Sequence, residues 1–139
     1  YPEKHIESPN MIFDLQMLKK KVEAGAEYIV TQMFFDNSRF FSFVEQCREI
    51  GISVPIIPGV KPIVSLRDIS LLPQTFHIDL PEDLMKELLK CKTNDDTWHV
   101  GVEWATMQSK ELLANNVPGI HYYTLGSSDN ICRIVKAAY

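Results

Sequence analysis

The sequence is poor in the features that mark several classes of protein. Its three cysteines, Cys47, Cys91 and Cys132, are odd in number and far apart, so neither a disulfide framework nor a metal site is indicated. No apolar run approaches the roughly 18 residues of a membrane span, and no signal peptide is recognisable. We therefore expect a protein of a reducing, cytoplasmic compartment that does not bind membranes.

Basic residues and glycines are also sparse. The 14 lysines and arginines are outnumbered by 18 acidic residues, which gives a formal charge of −4 at pH 7. A broad basic face for nucleic acid is therefore not expected. The six glycines form no Gly-rich phosphate loop, and no nucleophile lies beside a base in a recognisable motif. We assign no catalytic residue.

What is present is an alternation of amphipathic helices with short apolar strands. The 139 residues, 45% of them hydrophobic, suffice for one globular core. After a loop over residues 1–10, helical spacing predicts a helix that ends at Gly25. Asp36 or Asn37 can cap a second helix that runs to about Ile50. Further helices are predicted from Ser65 to about Leu72, from Pro81 onward, after Asn94-Asp95-Asp96, and from about Ser128 to Ala138.

Three strands are predicted between these helices, over Glu27–Thr31, Val54–Val60 and Ile120–Leu125. The first is β-branched and aromatic and carries no turn residue, which is typical of a parallel strand covered on both faces. Thr31 and Gln32 bring polar groups to its carboxyl end, where α/β proteins bind ligands. The fold class is therefore α/β with parallel pairing.

The pattern of strands and crossover helices matches part of a (β/α)8 TIM barrel, with about three parallel strands. A closed barrel needs eight strands and roughly 250 residues. The two outer strands and one sheet face would then lack partners. Because the chain begins at Tyr1 without an initiator methionine, we expect a piece of a longer protein, a homo-oligomer, or both.

Several polar residues have both a structural and a functional interpretation. Lys19-Lys20-Lys21 is, by itself, typical of a solvated helix end favoured by the dipole, and Asp14 of a first-turn acid. A loop histidine such as His5 is usually a surface residue, and Tyr1 is explained by packing alone. Gln32 is the stronger candidate because a polar side chain at the end of a buried strand needs a partner.

Five motifs in order resemble those of methylenetetrahydrofolate reductase, of the bacterial type. The resemblance extends over residues 1–139 and corresponds to the C-terminal half of the catalytic barrel, within a single flavin-binding domain. The motifs are Tyr1-Pro2-Glu3-Lys4-His5, Asp14 with Lys19 to Ala26, Thr31-Gln32-Met33-Phe34-Phe35-Asp36, Pro55 to Pro62, and His121-Tyr122-Tyr123-Thr124-Leu125.

The resemblance implies a (β/α)8 enzyme of one-carbon metabolism and methionine biosynthesis. Such an enzyme uses FAD and reduces 5,10-methylenetetrahydrofolate to 5-methyltetrahydrofolate with NADH or NADPH. Tyr1 and His5 would then lie beside FAD, and Asp14, Lys20 and Lys21 would hold its ribose and diphosphate, roles that suit a carboxylate and point charges. Gln32 would hydrogen-bond the pterin of the folate substrate.

The sequence departs from the family pattern at three places. An arginine expected after the Tyr-Thr-Leu strand is replaced by Leu125-Gly126-Ser127-Ser128. An expected stacking aromatic falls on Leu72, with Phe76 the nearest ring, and an amide expected near FAD falls on Met17. The family's catalytic glutamate, and the aspartate near the flavin, precede this region, so the chain by itself is expected to be inactive.

One alternative belongs to a different functional class. A half-barrel with an open sheet face can instead act as a non-catalytic interaction module that buries this face by self-association. A different barrel enzyme with a phosphate-bearing ligand has no supporting motif.

Overall fold

A computed structural model describes residues 1–139 as one sheet of three parallel strands with six helices. The helices are α1 (Met11–Glu23), α2 (Asn37–Glu49), α3 (Asp68–Phe76), α4 (Glu82–Leu89), α5 (Asn94–Ala114) and α6 (Asp129–Ala138). The strands are β1 (Ile29–Met33), β2 (Ile56–Val60) and β3 (His121–Tyr122), and their order in the sheet is β1-β2-β3. The alternation of helices and parallel strands is as predicted.

The helix ends follow from local chemistry. Asn10 caps α1 by accepting the Phe13 N–H at 2.8 Å, and Asp36 caps α2 by accepting the Ser38 N–H at 2.9 Å. At the far end of α1, Gly25 adopts a φ of +118°, a conformation that L side chains rarely adopt. The predicted cap at Asp36 is thus confirmed.

The strand boundaries differ from the prediction. β1 begins two residues later, at Ile29, because its first ladder bond joins the Ile29 N–H to the Pro55 carbonyl at 2.9 Å. The predicted strand over Val54–Val60 is shortened to Ile56–Val60. The third is reduced to two residues, because the chain turns after Tyr123 and the Thr124 hydroxyl donates to the Ser127 carbonyl.

The start of α3 was also predicted wrongly. Ser65 is not a side-chain cap; its carbonyl accepts the Asp68 N–H in a preceding turn, and the helix proper runs from Asp68 to Phe76. The Asp68 carboxylate closes this turn by accepting the Val64 N–H at 2.9 Å. The helix therefore starts at Asp68, three residues after Ser65, because the Asp68 side chain bonds to the preceding turn.

Two apolar clusters form the core. The larger lies between the sheet and helices α1, α2, α5 and α6, and includes Phe34, Phe40, Cys47 and Leu112. The smaller lies beneath α3 and α4 and includes Phe35 and Leu84. Phe34 and Phe35, adjacent in sequence, thus enter different clusters.

Only one face of the sheet is covered by helices. Ile29 packs in the larger cluster, whereas its neighbours Tyr28 and Val30 are 60% and 39% exposed. Because side chains alternate along a strand, these two residues belong to the opposite face. The expectation that β1 is covered on both faces is therefore wrong for this chain, and the expected open face is present.

Gly101 sets the position of α5. A Cβ at this residue would lie 1.8 Å from the Ile63 carbonyl oxygen, so the helix backbone approaches the segment after β2 as closely as glycine permits. None of the helices is long and apolar enough to cross a membrane.

Candidate functional site

A groove of about 510 Å³ lies between the N-terminal segment, α1 and β1. Its polar lining consists of Tyr1, His5, Glu7, Ser8, Asp14, Lys21 and Thr31, and its apolar lining of Phe13, Met17, Leu18, Ile29, Val30 and Phe43. Four of the five residues predicted for FAD therefore line one groove. Two of them come from the N-terminal segment and two from opposite ends of α1.

Tyr1 and His5 form an edge-to-face pair, with ring centroids 4.6 Å apart and planes at 89°. The His5 Nδ1 accepts the Glu7 N–H at 3.2 Å. In the neutral ring the proton is then on Nε2, which has no partner within the chain. The pair thus contributes two aromatic rings to the wall of the groove, and the Nε2 of His5 is left without a partner in the chain.

Asp14 joins the N-terminal segment to α1. Its Oδ2 accepts the backbone N–H of His5 at 2.6 Å, while its other oxygen makes no hydrogen bond. Asp14 lies in the first turn of α1, where the helix dipole favours a carboxylate. One oxygen therefore fixes the loop that carries His5, and the other is available to a donor in the groove.

The two lysines at the end of α1 are not equivalent. Lys21 lines the groove and Lys20 does not. Asp14 and Lys21 are seven residues apart, about two helical turns, so they share a face of the helix. Lys20 lies about 100° away around the axis, and neither lysine forms an ion pair.

Gln32 lies outside this groove, at the carboxyl end of β1. Its Oε1 accepts the N–H of Met33 at 3.0 Å, so the predicted partner is the backbone of the next residue. The neighbouring Thr31 lines the groove, and its hydroxyl accepts the Gly59 N–H at 3.0 Å. Gln32 and the FAD candidates therefore occupy adjacent but separate positions.

Tyr123 was not singled out by the sequence, and it ties the two outer strands together. Its hydroxyl donates to the Thr31 carbonyl at 2.8 Å, so its ring passes over β2. A Cβ at Gly59 would lie 2.7 Å from this ring and 2.5 Å from the Thr31 oxygen. Burial raises the pKa of the Tyr123 hydroxyl, so it stays a donor to a higher pH than an exposed tyrosine would.

Glu3 is a second residue that sequence reasoning missed. Its Oε2 accepts the N–H of Asp79 at 3.1 Å and anchors the N-terminal segment to the loop between α3 and α4. Partial burial raises the pKa of its carboxyl group. No local sequence pattern predicts a contact between residues so far apart in the chain.

The positions that depart from the family pattern have definite environments. Leu72 is buried in the smaller cluster and Phe76 packs against it, so neither residue lines the groove. Met17 does line it, between Asp14 and Lys21. No group of three or more histidine, cysteine, aspartate or glutamate side chains is arranged to hold a metal ion.

Comparison with known proteins finds a match over the whole chain. The family model described as methylenetetrahydrofolate reductase matches residues 1–139. A Caenorhabditis elegans protein named "Probable methylenetetrahydrofolate reductase (NADPH)" is 37% identical over 139 residues, which are 99% of this chain and 21% of that protein. Methylenetetrahydrofolate reductase (NADH) 1 of Arabidopsis thaliana is 41% identical over 113 residues, 81% of this chain and 19% of that protein.

Among solved structures, an uncharacterized protein from Clostridium thermocellum that binds two copies of 5-methyl-5,6,7,8-tetrahydrofolic acid has the same fold. It superposes with a TM-score of 0.59 at 16% identity, over 99% of this chain and 50% of that one. The predicted α/β class, a partial barrel of three parallel strands, is confirmed. The chain spans about a fifth of the length of the two curated relatives. It belongs to the methylenetetrahydrofolate reductase family.

Proposed function

We propose that the chain is the C-terminal part of the catalytic domain of an FAD-dependent reductase. The parent enzyme converts 5,10-methylenetetrahydrofolate to 5-methyltetrahydrofolate with NADH or NADPH. Family membership supports the reaction, and the names of the two relatives support a nicotinamide reductant. The parent reductase acts in the cytoplasm, and residues 1–139 are one portion of its single barrel domain.

The convergence of Tyr1, His5, Asp14 and Lys21 on one groove carries this proposal. Their chemistry fits FAD, because a lysine supplies a point charge for phosphate and a carboxylate accepts from sugar hydroxyls. The apolar wall of Phe13 and Met17 suits the flat parts of such a ligand.

Each residue then has a definite task. Lys21 balances the diphosphate, the free oxygen of Asp14 accepts from the ribose, and the Tyr1–His5 pair borders the flavin. Lys20 supports the phosphate charge only from a distance, because it lies off the groove. When bound, FAD supplies the hydride chemistry.

Gln32 binds the folate substrate in this proposal. Its side-chain carbonyl is occupied by the Met33 N–H, while its amide nitrogen has no hydrogen-bond partner. An amide offers both a donor and an acceptor to a heterocycle edge. We therefore expect the side chain to turn from the backbone of Met33 when the pterin binds.

Flavin titration tests the groove. Adding FAD to the purified protein should quench flavin fluorescence, and Lys21→Ala should weaken binding roughly tenfold or more because a charge-assisted contact is lost. Lys20→Ala serves as the matched control on the same helix turn, with a smaller effect. Equal effects of the two substitutions would contradict the assignment of the diphosphate to Lys21 rather than to Lys20.

Activity separates this part from the parent enzyme. Because the chain contains no assigned acid, it should not reduce 5,10-methylenetetrahydrofolate alone, whereas a protein that also contains the preceding part of the barrel should. Turnover by residues 1–139 alone would contradict the division of roles.

A second candidate function rests on the open sheet face. Tyr28 and Val30 expose apolar surface beside an unpaired edge of β1, which a second copy of the chain can cover. In that case the chain is a self-associating, non-catalytic interaction module. Sedimentation equilibrium decides the matter: a monomer at high concentration excludes this function, and a dimer broken by Val30→Lys supports it.

A further inference from the structure

Lys61 is a buried cation without a counter-ion. It follows β2 directly, and only 7% of its surface is exposed. Its ammonium donates to the Pro62 carbonyl at 3.4 Å, and no carboxylate lies within ion-pair distance. An ammonium has three donors, and a buried charge is costly unless it is paired. Lys61 thus keeps an unmatched charge and two free donors.

A cavity of about 170 Å³ adjoins Lys61 at the carboxyl ends of β2 and β3. Thr124, Ser127 and Asn130 add hydroxyl and amide groups to its wall, and Trp98 adds an aromatic surface. This is the edge of a parallel sheet at which ligands bind. The space is large enough for one small polar group.

The second charged residue of the cavity does not form an ion pair with Lys61. Asp68 also lines it, but its Oδ2 already accepts the Val64 N–H at 2.9 Å and it forms no ion pair with the lysine. The turn before α3, rather than Lys61, therefore holds Asp68. An anionic group in the cavity would supply the ion-pair partner that Lys61 lacks within the chain.

The start of α6 favours the same charge. The N-cap residue Ser128 makes no side-chain cap hydrogen bond. The N–H groups of Asp129 and Ile131 donate to the Ser127 hydroxyl and to the Asn130 Oδ1, which leaves the Asn130 N–H as the first-turn donor without a partner. Asn130, in that turn, lines the cavity, whereas Asp129 does not. The positive end of the helix dipole therefore adds to the field of Lys61.

We propose that this cavity binds an anionic group, a carboxylate or a phosphate, through Lys61. The cavity shares no lining residue with the groove of Tyr1, His5, Asp14 and Lys21. The inference therefore goes beyond the proposed flavin site, and either one can fail without the other.

Calorimetric and thermal-shift titrations of the purified protein test it. Inorganic phosphate probes a phosphate source and glutarate a carboxylate source, with ionic strength held constant by potassium chloride. At least one anion should raise Tm above the chloride control. Lys61→Met should weaken that binding at least tenfold, while Lys110→Met, which removes an exposed lysine of α5 outside the cavity, should leave it unchanged.

The melting temperature of the variant without anion provides a second test. Since Lys61→Met removes an unpaired buried charge, it should melt no lower than the wild type without anion. Should that variant fail to fold, Lys61→Gln replaces it, because the amide keeps a donor and removes the charge, so anion binding should again weaken at least tenfold. No shift with either anion, or wild-type affinity in the Lys61 variant that folds, would overturn the proposal.

Discussion

Helices α1 and α5 both contribute to the larger apolar cluster, yet they use their apolar residues in opposite ways. α5 buries seven residues, including Gly101 and Leu112. α1 buries only Leu15 and leaves Ile12, Phe13 and Met17 exposed. The difference separates two tasks: α5 fixes the fold, and α1 gives up burial to form one wall of a groove.

The largest loss of stability is expected from a substitution at Gly101, in α5. Gly101→Ala places a methyl group against the Ile63 carbonyl, and we expect it to lower the free energy of unfolding by about 4 kcal/mol or more, beyond the usual cost of overpacking. Urea denaturation measures this. Gly119→Ala is the matched control, since its Cβ would meet nothing within 4 Å; similar losses in both variants would refute the account of α5.

Shortening one side chain in each of α5 and α1 tests the difference between the two helices. Leu112→Ala removes a fully buried side chain of α5 and should cost about 3 kcal/mol. Met17→Ala, on the exposed side of α1, should cost less than about 0.5 kcal/mol but weaken flavin binding. Denaturation and flavin titration of both variants check this; a large stability loss in Met17→Ala would show that Met17 belongs to the core rather than to the groove.

High pH should weaken the apolar core. Burial raises the pKa of the Cys47 thiol on α2 to about 11, from 9.0 when unfolded. Between these values the unfolded chain has released a proton that the folded chain retains. This part of the stability is complete below pH 9 and is lost as pH rises to 11, at most about 2.7 kcal/mol.

Denaturation curves at pH 8 to 11 measure this loss. Cys47→Ala should flatten the slope, although the raised pKa of Tyr122, caused by burial, leaves a residual loss in the same direction. Cys132→Ala, which removes an exposed thiol, should leave the slope as it is; an unchanged slope in Cys47→Ala would contradict the assignment.

A smaller effect than that of the buried thiol is expected from Asp14, in the groove. Asp14→Ala removes the acceptor of the His5 N–H and should cost about 1 kcal/mol. Hydrogen exchange should then show faster exchange of the His5 amide. Asp83→Ala, also in the first turn of a helix but without such a bond, is the control. Equal exchange of the His5 amide in both variants would mean that Asp14 does not hold the loop.

Several helix ends can be predicted from local sequence signals. Asp36 marks the start of α2 because its side chain can accept an N–H of the first turn. Gly25 marks the end of α1 because glycine adopts a positive φ readily. The different positions of Lys20 and Lys21 also follow from the helical period once Asp14 is taken as the reference.

Other features depend on contacts between distant parts of the chain. The bond from Tyr123 to Thr31 requires the register of three strands, and the anchor from Glu3 to Asp79 requires the packing of two loops. The start of α3 was missed because the Asp68 carboxylate bonds to the turn before it. The strand ends were misplaced because pairing, rather than composition, sets their length.

The Tyr123 hydroxyl bond to Thr31 has a consequence for how this sheet comes apart. β3 is short and lies at an edge, so it would ordinarily fray independently of the other strands. Since its neighbouring tyrosine holds the carbonyl of the opposite edge strand, displacement of β3 also releases a backbone acceptor of β1. The two edges of the sheet therefore open as one cooperative unit, with β2 between them.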